Sequence, residues 1–433
     1  VRMNGIVLLL GSYLLMVMIK IPVAYALGLS SMLVCVQLGV PLTSAISSMY
    51  DAVSNFSLLA VPLFMLLATL MDVGGITERL LKVCEAFIGH IRGGMGHVNV
   101  IVSLLFGHLS GSSQADAAGI GGILIPAMKK GGYDAGFSVA ITACSSCLGV
   151  IIPPSVLMVV YGAQSGASVG ALFVAGLVPG FAIALAQCAY TAWAAKRRNY
   201  PCMPKTTWGE RGESLKKALP VIILPLIILG GTTSGFFTAT ESAAVACMYA
   251  AFLMFVVYRN YKIKDIPKLM VKVATEFSLS MFAVASAGIT GWLIAYLDAP
   301  ATIAGWILNI TDSYIGIYLL LVAFLLVIGT FLSPLSAIII FMPIFQQLAA
   351  VGGFNDIHMG LIIIMTLSLG MVTPPYGTCL MITSQIGEIT MPQAFKHVAP
   401  ILLVTVAVII LFIVFPELLL FLPRMLVPTA FHA

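Results

Sequence analysis

Long runs of apolar residues recur along the whole chain, and short polar segments separate them. A helix needs ~20 apolar residues to cross ~30 Å of hydrocarbon, whereas outer-membrane strands are alternating segments of about ten residues. The runs in this chain have the length and unbroken apolar character of helices. The pattern therefore predicts an all-α polytopic membrane protein with roughly ten to twelve passes and some shorter re-entrant pieces.

Two polar segments interrupt this pattern within apolar sequence. Residues 110–116 read SGSSQAD, and residues 149–155 read GVIIPPS. Irregular backbone at membrane depth is tolerated only where protein covers it or where it borders a polar cavity. The run after the first segment is too short to cross, so we expect a re-entrant hairpin at about 110–130. The second segment predicts a broken helix within about 135–165.

The same arrangement returns in the second half of the chain. The landmarks that match in order are Asp116 with Ser333, Pro126 with Pro343, Tyr133 with Phe354, Gly149 with Gly370, and Pro153-Pro154 with Pro374-Pro375. In both halves 20 residues separate the aromatic residue from the first proline of the pair. We therefore expect a second hairpin at about 330–352 and a second broken helix at about 357–390.

Charge at the hairpin bases distinguishes the two copies. The base of the first hairpin carries Lys129 and Lys130, whereas residues 349–356 at the base of the second carry no Lys or Arg. Cytoplasmic segments are enriched in Lys and Arg, so the two hairpins are expected to enter from opposite sides of the membrane. An inverted pair of broken-helix units is the architecture of secondary transporters.

Composition agrees with a membrane protein, since 60% of residues are hydrophobic and only 9% are charged. Basic residues cluster at 196–217 and 259–272, and both clusters are expected to be cytoplasmic. The net charge of +5 therefore reports membrane topology rather than nucleic-acid binding. The predicted organisation is N-terminal scaffold helices with a surface amphipathic helix (1–96), a first transport repeat (97–195), a basic loop with second-half scaffold helices (196–314), a second transport repeat (315–415) and a C-terminal tail (416–433).

Five motifs carry a resemblance to a known family. The large membrane subunit of tripartite ATP-independent periplasmic (TRAP) transporters has similar sequences at LLAVPLF (58–64), SGSSQAD (110–116), GVIIPPS (149–155), TATESA (238–243) and VTPPYG (372–377). The resemblance covers nearly the whole chain. It implies an elevator-type transporter of the bacterial inner membrane that couples Na+ to uptake of sialic acid or a four-carbon dicarboxylate. It also implies a periplasmic substrate-binding protein (P type) and a small four-helix membrane subunit (Q type) as partners. The chain departs from the family at Ser333, where an Asp is usual.

Oxygen-rich backbone near the breaks indicates ion sites, because sodium prefers oxygen ligands and unwound carbonyls supply them without added charge. The first predicted sodium site consists of Ser110, Ser112, Gly149, Ile152 and Pro154, the last three mainly through carbonyls. The mirrored site consists of Gly329, Thr330, Gly370, Thr373 and Pro375. Residues expected to face the substrate or brace the tips are Ser113, Asp116, Ser145, Ser146 and Ser333. Each Ser has helix packing as its alternative role, since small residues are favoured at membrane helix contacts.

Two acidic residues have more than one interpretation. A carboxylate in a span costs ~2.5–3.5 kcal/mol on insertion scales and is usually functional, which favours a role for Asp116 at the tip near sodium. Glu241 follows Thr238 and Thr240 close to an apolar segment. A functional carboxylate and an N-terminal cap of a scaffold helix are therefore equally consistent with its sequence context.

Other activities are less consistent with the sequence. The chain contains no GxxxxGK[ST] motif, so ATP bound by this chain is not the energy source. An enzyme is not expected: HExxH is absent, and the polar residues form two matching sets rather than one group of nucleophile, base and orienting residue, so an intramembrane hydrolase is a remote alternative. The nearer alternative is a stand-alone ion-coupled anion transporter of related inverted-repeat fold that needs no binding protein. Cys144-x-x-Cys147 lacks a second ligand pair and indicates helix packing rather than zinc.

Overall fold

The computed structural model describes residues 2–259 and 261–431, except for the side chains at 2–3, 108–110, 263, 304 and 308. Helices make up the regular structure of this part of the chain. They are α1 (Arg2–Met18), α2 (Val23–Leu38), α3 (Leu42–Val53), α4 (Ala60–Val73), α5 (Ile76–Ile88), α6 (Gly94–Ser110), α7 (Ser113–Lys130), α8 (Ala135–Ser146), α9 (Leu148–Ile151), α10 (Val156–Ser165), α11 (Val169–Arg198), α12 (Trp208–Thr233), α13 (Ala239–Phe252), α14 (Ile266–Tyr296), α15 (Ala299–Ile310), α16 (Tyr314–Gly329), α17 (Pro334–Gly352), α18 (Asp356–Gly370), α19 (Thr378–Gly387), α20 (Met391–Val414) and α21 (Pro416–Leu426).

The first hairpin consists of α6 and α7, which pack on each other and are joined by Gly111 and Ser112 alone. Gly111 has φ +60°, and a Cβ there would lie 2.8 Å from the carbonyl oxygen of Pro154, so the turn requires glycine. The hairpin thus spans 94–130 and begins earlier than the predicted bound of about 110. Its counterpart, α16 and α17, likewise begins earlier than predicted, at Tyr314.

Both predicted broken helices are confirmed. The segment α8–α9 ends at Ile151, and α10 begins at Val156 after a bend of 40°. In the second half, α18 ends at Gly370 and α19 begins at Thr378. Each break contains a proline pair whose peptide bond is cis, at Pro153-Pro154 and Pro374-Pro375. The second copy therefore reproduces the order of hairpin, helix, break and half-helix seen in the first.

The helices outside the two repeats pack mainly on one another. Helix α4 packs against α13, and α14 packs against α2 and α3, which together form a scaffold. Short helices connect this scaffold to the repeats: α5 leads from α4 to α6, and α15 leads from α14 to α16. Helix α14 also packs along α17, so the scaffold touches the second hairpin directly.

The number of candidate spanning helices depends on the length that a helix must have to be counted. Within the described residues, seven helices are long and apolar enough to cross a membrane, or eight if the bent pair of the first break is one span. The prediction of roughly ten to twelve passes also includes shorter apolar helices, and it stays a prediction. Helices α6 and α16 belong to hairpins, and α1, α2 and α18 have fewer than 18 residues.

Helix α13 begins with a capping box that resolves the two interpretations of Glu241. The Glu241 carboxylate accepts a hydrogen bond of 2.8 Å from the Thr238 N–H, and the Glu241 N–H donates to the Thr238 hydroxyl at 3.3 Å. Such reciprocal bonds satisfy two backbone groups that the helix start would leave unpaired. Glu241 therefore belongs to the N-terminal cap of this scaffold helix, in which Thr238 is the N-cap residue, and the capping interpretation is the one that the structure supports.

Candidate ion-binding and substrate-binding site

The first break lies directly against the tip of the first hairpin. Ser112 caps α7, and its hydroxyl accepts a hydrogen bond of 3.4 Å from the Ala115 N–H. A Cβ at Gly149 would lie 3.4 Å from the carbonyl carbon of Ser112, and Pro154 touches the neighbouring turn residue. Ile152 has extended backbone (φ −89°, ψ 133°), so the helix ladder stops there. Three of the five residues predicted for the first sodium site, Ser112, Gly149 and Pro154, therefore meet around one turn. Ile152 lies in the break, two residues before Pro154, and the side chain of Ser110 lies outside the described residues.

Asp116 is completely buried in the first turn of α7. One of its carboxylate oxygens lies so close to Gly149 that a Cβ at that position would overlap it. The positive end of the α7 dipole stabilises a negative charge at this place. The neighbouring hydroxyl of Ser113 is also fully buried and has no hydrogen-bond partner among the described residues. Both side chains thus lie behind the hairpin tip, next to the predicted ion site.

The second break repeats the contact in a mirrored position. Gly329 at the end of α16 crosses Gly370 at the end of α18 so closely that a Cβ at Gly370 would overlap the Gly329 carbonyl. The Thr330 carbonyl accepts a hydrogen bond of 3.2 Å from the Tyr376 N–H. The Thr373 hydroxyl donates to the Leu369 carbonyl at 2.7 Å. The predicted second set is therefore assembled where the hairpin end meets the unwound segment that contains Pro375.

A cavity of about 920 Å³ separates both hairpin tips from the scaffold. Ser112 and Ser333 line it, each at the N-terminus of its hairpin helix. Ser333 accepts a hydrogen bond of 3.2 Å from the Ser336 N–H and donates one of 2.9 Å to the Ser336 hydroxyl. Several further polar residues line the cavity, and none of them was predicted as a site residue from the sequence: Asp72, Gln114, Lys272, Glu276, Ser280, Ser336 and Tyr376.

Two of the residues predicted to face the substrate lie elsewhere. Ser145 is fully buried between α6 and α8, where it bonds the Ser103 hydroxyl at 2.9 Å and the Asn99 side chain at 3.0 Å. Ser146 donates to the Ala143 carbonyl at 2.7 Å. Neither lines the cavity. The packing alternative explains the environment of both residues.

The cavity lies on the side of the basic loops. Asp72 stands at the end of α4, directly before the helix with Arg79 and Lys82, and Lys272 belongs to the second basic cluster. Towards the other side the scaffold closes on the second hairpin. A Cβ at Gly291 of α14 would lie 2.9 Å from the Ile339 carbonyl oxygen, and Asn55 donates a bond of 3.0 Å to the Ala163 carbonyl of α10.

The base of the first hairpin is held by a polar cluster outside the spans. Asp134 caps α8 and accepts a bond of 2.7 Å from Arg198, at the end of α11, and a further bond from the Tyr200 hydroxyl. Burial raises the pKa of the Asp134 carboxyl, but the hydrogen bonds from Tyr200, the Phe137 N–H and Arg198 outweigh it and bring the pKa below its ordinary value. The cluster joins the start of α8 to α11.

Comparisons with known proteins cover almost the whole chain. A family model described as the DctM component of the tripartite ATP-independent periplasmic transporter matches residues 10–418. The large permease of a Vibrio cholerae sialic acid TRAP transporter is 36% identical over 381 residues, covering 88% of this chain and 89% of the relative. The large permease of a Pseudomonas aeruginosa C4-dicarboxylate TRAP transporter is 35% identical, covering 87% and 88%. That of an Escherichia coli 2,3-diketo-L-gulonate TRAP transporter is 30% identical, covering 96% and 98%.

Solved structures with the same fold are more distant in sequence. The crystal structure of the Alcanivorax borkumensis YdaH transporter superposes with a TM-score of 0.58 at 12% identity, over 87% of this chain and 89% of that chain. The Neisseria gonorrhoeae MtrF structure gives a TM-score of 0.56 at 11% identity, over 86% and 84%. Both likenesses concern the fold.

Proposed function

The chain belongs to the family of DctM components of TRAP transporters, and from this premise we propose that it imports a small carboxylate by sodium-coupled secondary transport. Members of the family are multi-pass membrane permeases, not enzymes, and they work with a small permease and a periplasmic binding protein. Three further properties are proposed for this chain: the identity of the coupling ion, the class of the substrate and the motion that carries the substrate across the membrane.

The observation that carries the proposal is the pair of mirrored crossings beside one cavity. At each crossing a hairpin end meets a broken helix backbone to backbone, through Gly149 in one half and Gly370 in the other. Unwound carbonyls and hydroxyls at such breaks provide oxygen ligands for a hard cation. Two ion sites of this kind supply the driving force, since one charge moving through 100 mV releases ~2.3 kcal/mol.

The anion is held where the N-termini of two helices point into the cavity. Ser112 at α7 and Ser333 at α17 line it, together with Gln114 and Ser336. Helix N-termini and hydroxyl groups favour carboxylates. The three relatives are named for transport of sialic acid, C4-dicarboxylates and 2,3-diketo-L-gulonate, so a small carboxylate is the substrate class proposed here.

The proposed motion is an elevator movement of the two repeats against the scaffold. The repeats and the scaffold meet along α14 and α17, and the cavity between them lies on the side of the basic loops. If these loops are cytoplasmic, this conformation faces inward. Sliding of the hairpin tips along α14 would carry the bound substrate to the opposite side. The proposed location is the bacterial inner membrane, with a P-type binding protein and a Q-type small subunit as partners.

The test is uptake of radiolabelled succinate or sialic acid into proteoliposomes under inward sodium, potassium or proton gradients, with the two partner proteins added or omitted. Uptake that needs sodium and the binding protein supports the proposal. Uptake with sodium but without any binding protein favours the stand-alone transporter instead. Uptake driven by protons contradicts the two sodium sites and makes Asp116 the leading candidate for the proton carrier.

A further inference from the structure

The two walls of the cavity differ in charge. The wall formed by the hairpins contributes hydroxyl and amide groups, which are neutral. The wall formed by the scaffold contributes Asp72 from α4 and both Lys272 and Glu276 from α14. Among the cavity-lining residues that the structure describes, Lys272 is thus the single cation, and it faces a space otherwise bordered by two carboxylates.

Lys272 is placed to act on a ligand rather than on its neighbours. Lys272, Glu276 and Ser280 follow one another at intervals of four residues, so they share one face of α14. The ion pairs found within 4.0 Å among the described residues do not include Lys272, although Glu276 is one turn away. The Ser280 hydroxyl donates to the backbone carbonyl of Glu276 at 3.1 Å, one turn earlier on the same helix. The Lys272 ammonium is therefore available to an anion in the cavity.

We propose that Lys272 is a specificity-determining residue for the carboxylate, which it attracts from the fixed scaffold, while Glu276 opposes the attraction. This inference rests on the proposed function. A cleft with low-dielectric walls focuses the field of a charge that lines it, so one ammonium raises the local concentration of anions. Because Lys272 is on the scaffold, it acts on the substrate only in the conformation that opens to the basic loops. Lys272 therefore affects the substrate concentration for half-maximal transport from the basic-loop side and not from the opposite side of the membrane.

The first experiment measures the potential of the cavity without any substrate. Ser280→Cys, in a Cys202→Ser background that removes the exposed native thiol, is modified from the basic-loop side with an anionic and a cationic methanethiosulfonate. We expect Lys272→Gln to lower the anionic-to-cationic rate ratio about threefold or more in low salt, and Glu276→Gln to raise it. Lys272→Arg should keep the ratio of the parent. Lys268→Gln, on the same face one turn earlier and outside the residues that line the cavity, is the matched control and should change the ratio less than Lys272→Gln.

The second experiment measures transport by the complete system. We expect Lys272→Gln to raise the succinate concentration for half-maximal transport from the basic-loop side about fivefold, equivalent to ~1 kcal/mol, with no change from the opposite side. Glu276→Gln should lower it. The proposal is overturned if Lys272→Gln leaves the ratio of anionic to cationic modification rates unchanged. It is also overturned if that ratio changes while the succinate concentration for half-maximal transport from the basic-loop side does not. If the wild type carries neither succinate nor sialic acid, the proposed function fails, and the rate ratio alone decides whether Lys272 sets the anion preference of the cavity.

Discussion

Gly149→Ala tests the first crossing most directly. Gly149 lies between α6 and the tip of α7, where a Cβ would lie 3.4 Å from the Ser112 carbonyl carbon and would overlap the Asp116 carboxylate. Because Asp116 is fully buried and α6 presses from the other side at Gly107, the added methyl group has no free space. The carboxylate or the helix must shift, and both belong to the predicted ion site.

The size of the effect follows from the cost of overpacking. One extra methyl group in a tightly packed site costs about 1–3 kcal/mol. If the strain falls on the ion-bound arrangement, the sodium concentration for half-maximal uptake rises about 5- to 150-fold. The assays are sodium titration of uptake in proteoliposomes and the rise in melting temperature that sodium produces in detergent.

The matched control for this variant is Gly122→Ala on α7. A Cβ at Gly122 has no heavy atom within 4 Å, so this substitution should leave sodium dependence unchanged and stabilise the helix by up to about 1 kcal/mol. Adding Asp116→Ala to Gly149→Ala should recover part of the lost melting temperature, because it removes the group that the new methyl overlaps. Wild-type melting temperature and sodium dependence in Gly149→Ala would refute the crossing geometry described here.

Three further substitutions probe other parts of the structure. Asp134→Asn should lower the free energy of unfolding at pH 7 by less than ~1 kcal/mol. Since the folded pKa of Asp134 lies below its ordinary value, this stabilisation is present above about pH 4 and decreases as pH falls further, so the difference in melting temperature between variant and parent should shrink in a series taken below pH 4. Ser333→Asp keeps a good N-cap and adds a carboxylate close to the second predicted ion site, so we expect normal folding and a lower half-saturating sodium concentration; an unchanged sodium titration would contradict a role for this position. Gly291→Ala places a Cβ 2.9 Å from the Ile339 carbonyl oxygen and should weaken the contact between α14 and α17. The opposite conformation then gains population, and modification of the Ser280→Cys thiol in the cavity should become slower. Gly230→Ala on α12, whose Cβ has no neighbour within 4 Å, should leave the modification rate unchanged.

The breaks were predictable because proline and glycine leave a local signature. Pro153 and Pro374 cannot continue a helix ladder, and their matched spacing revealed the second copy before any tertiary contact was known. The extent of the hairpins was not predictable in the same way. Helix α6 has the apolar composition of a span, and its packing on α7 together with its contact with the first break, through Gly107, shows that the chain turns back after it. Such a contact is invisible to a local pattern.

The cavity shows a second limit of sequence reasoning. Lys272 is the last residue of a basic cluster, and membrane topology alone explains that cluster. The cluster therefore did not indicate that Lys272 lies on the cavity wall. Its spacing of four from Glu276 at the start of an apolar run was the one available hint. Ser145 and Ser146 illustrate the reverse case, since their hydroxyls bond within the helix packing and away from the cavity. The position of a Ser along an apolar helix does not distinguish these two situations.

The crossings of Gly107 with Gly149 and of Gly329 with Gly370 also limit how the protein can be altered. Every other residue type is larger than glycine, so no compensating exchange of volume exists between the partners of either crossing. The cavity wall has the opposite property, because polar side chains there can be exchanged without moving backbone. A library built to change substrate preference should therefore hold these four positions constant and diversify Gln114, Lys272, Glu276 and Ser336. Variants with new cargo are then expected to remain coupled to the ion gradient of the parent.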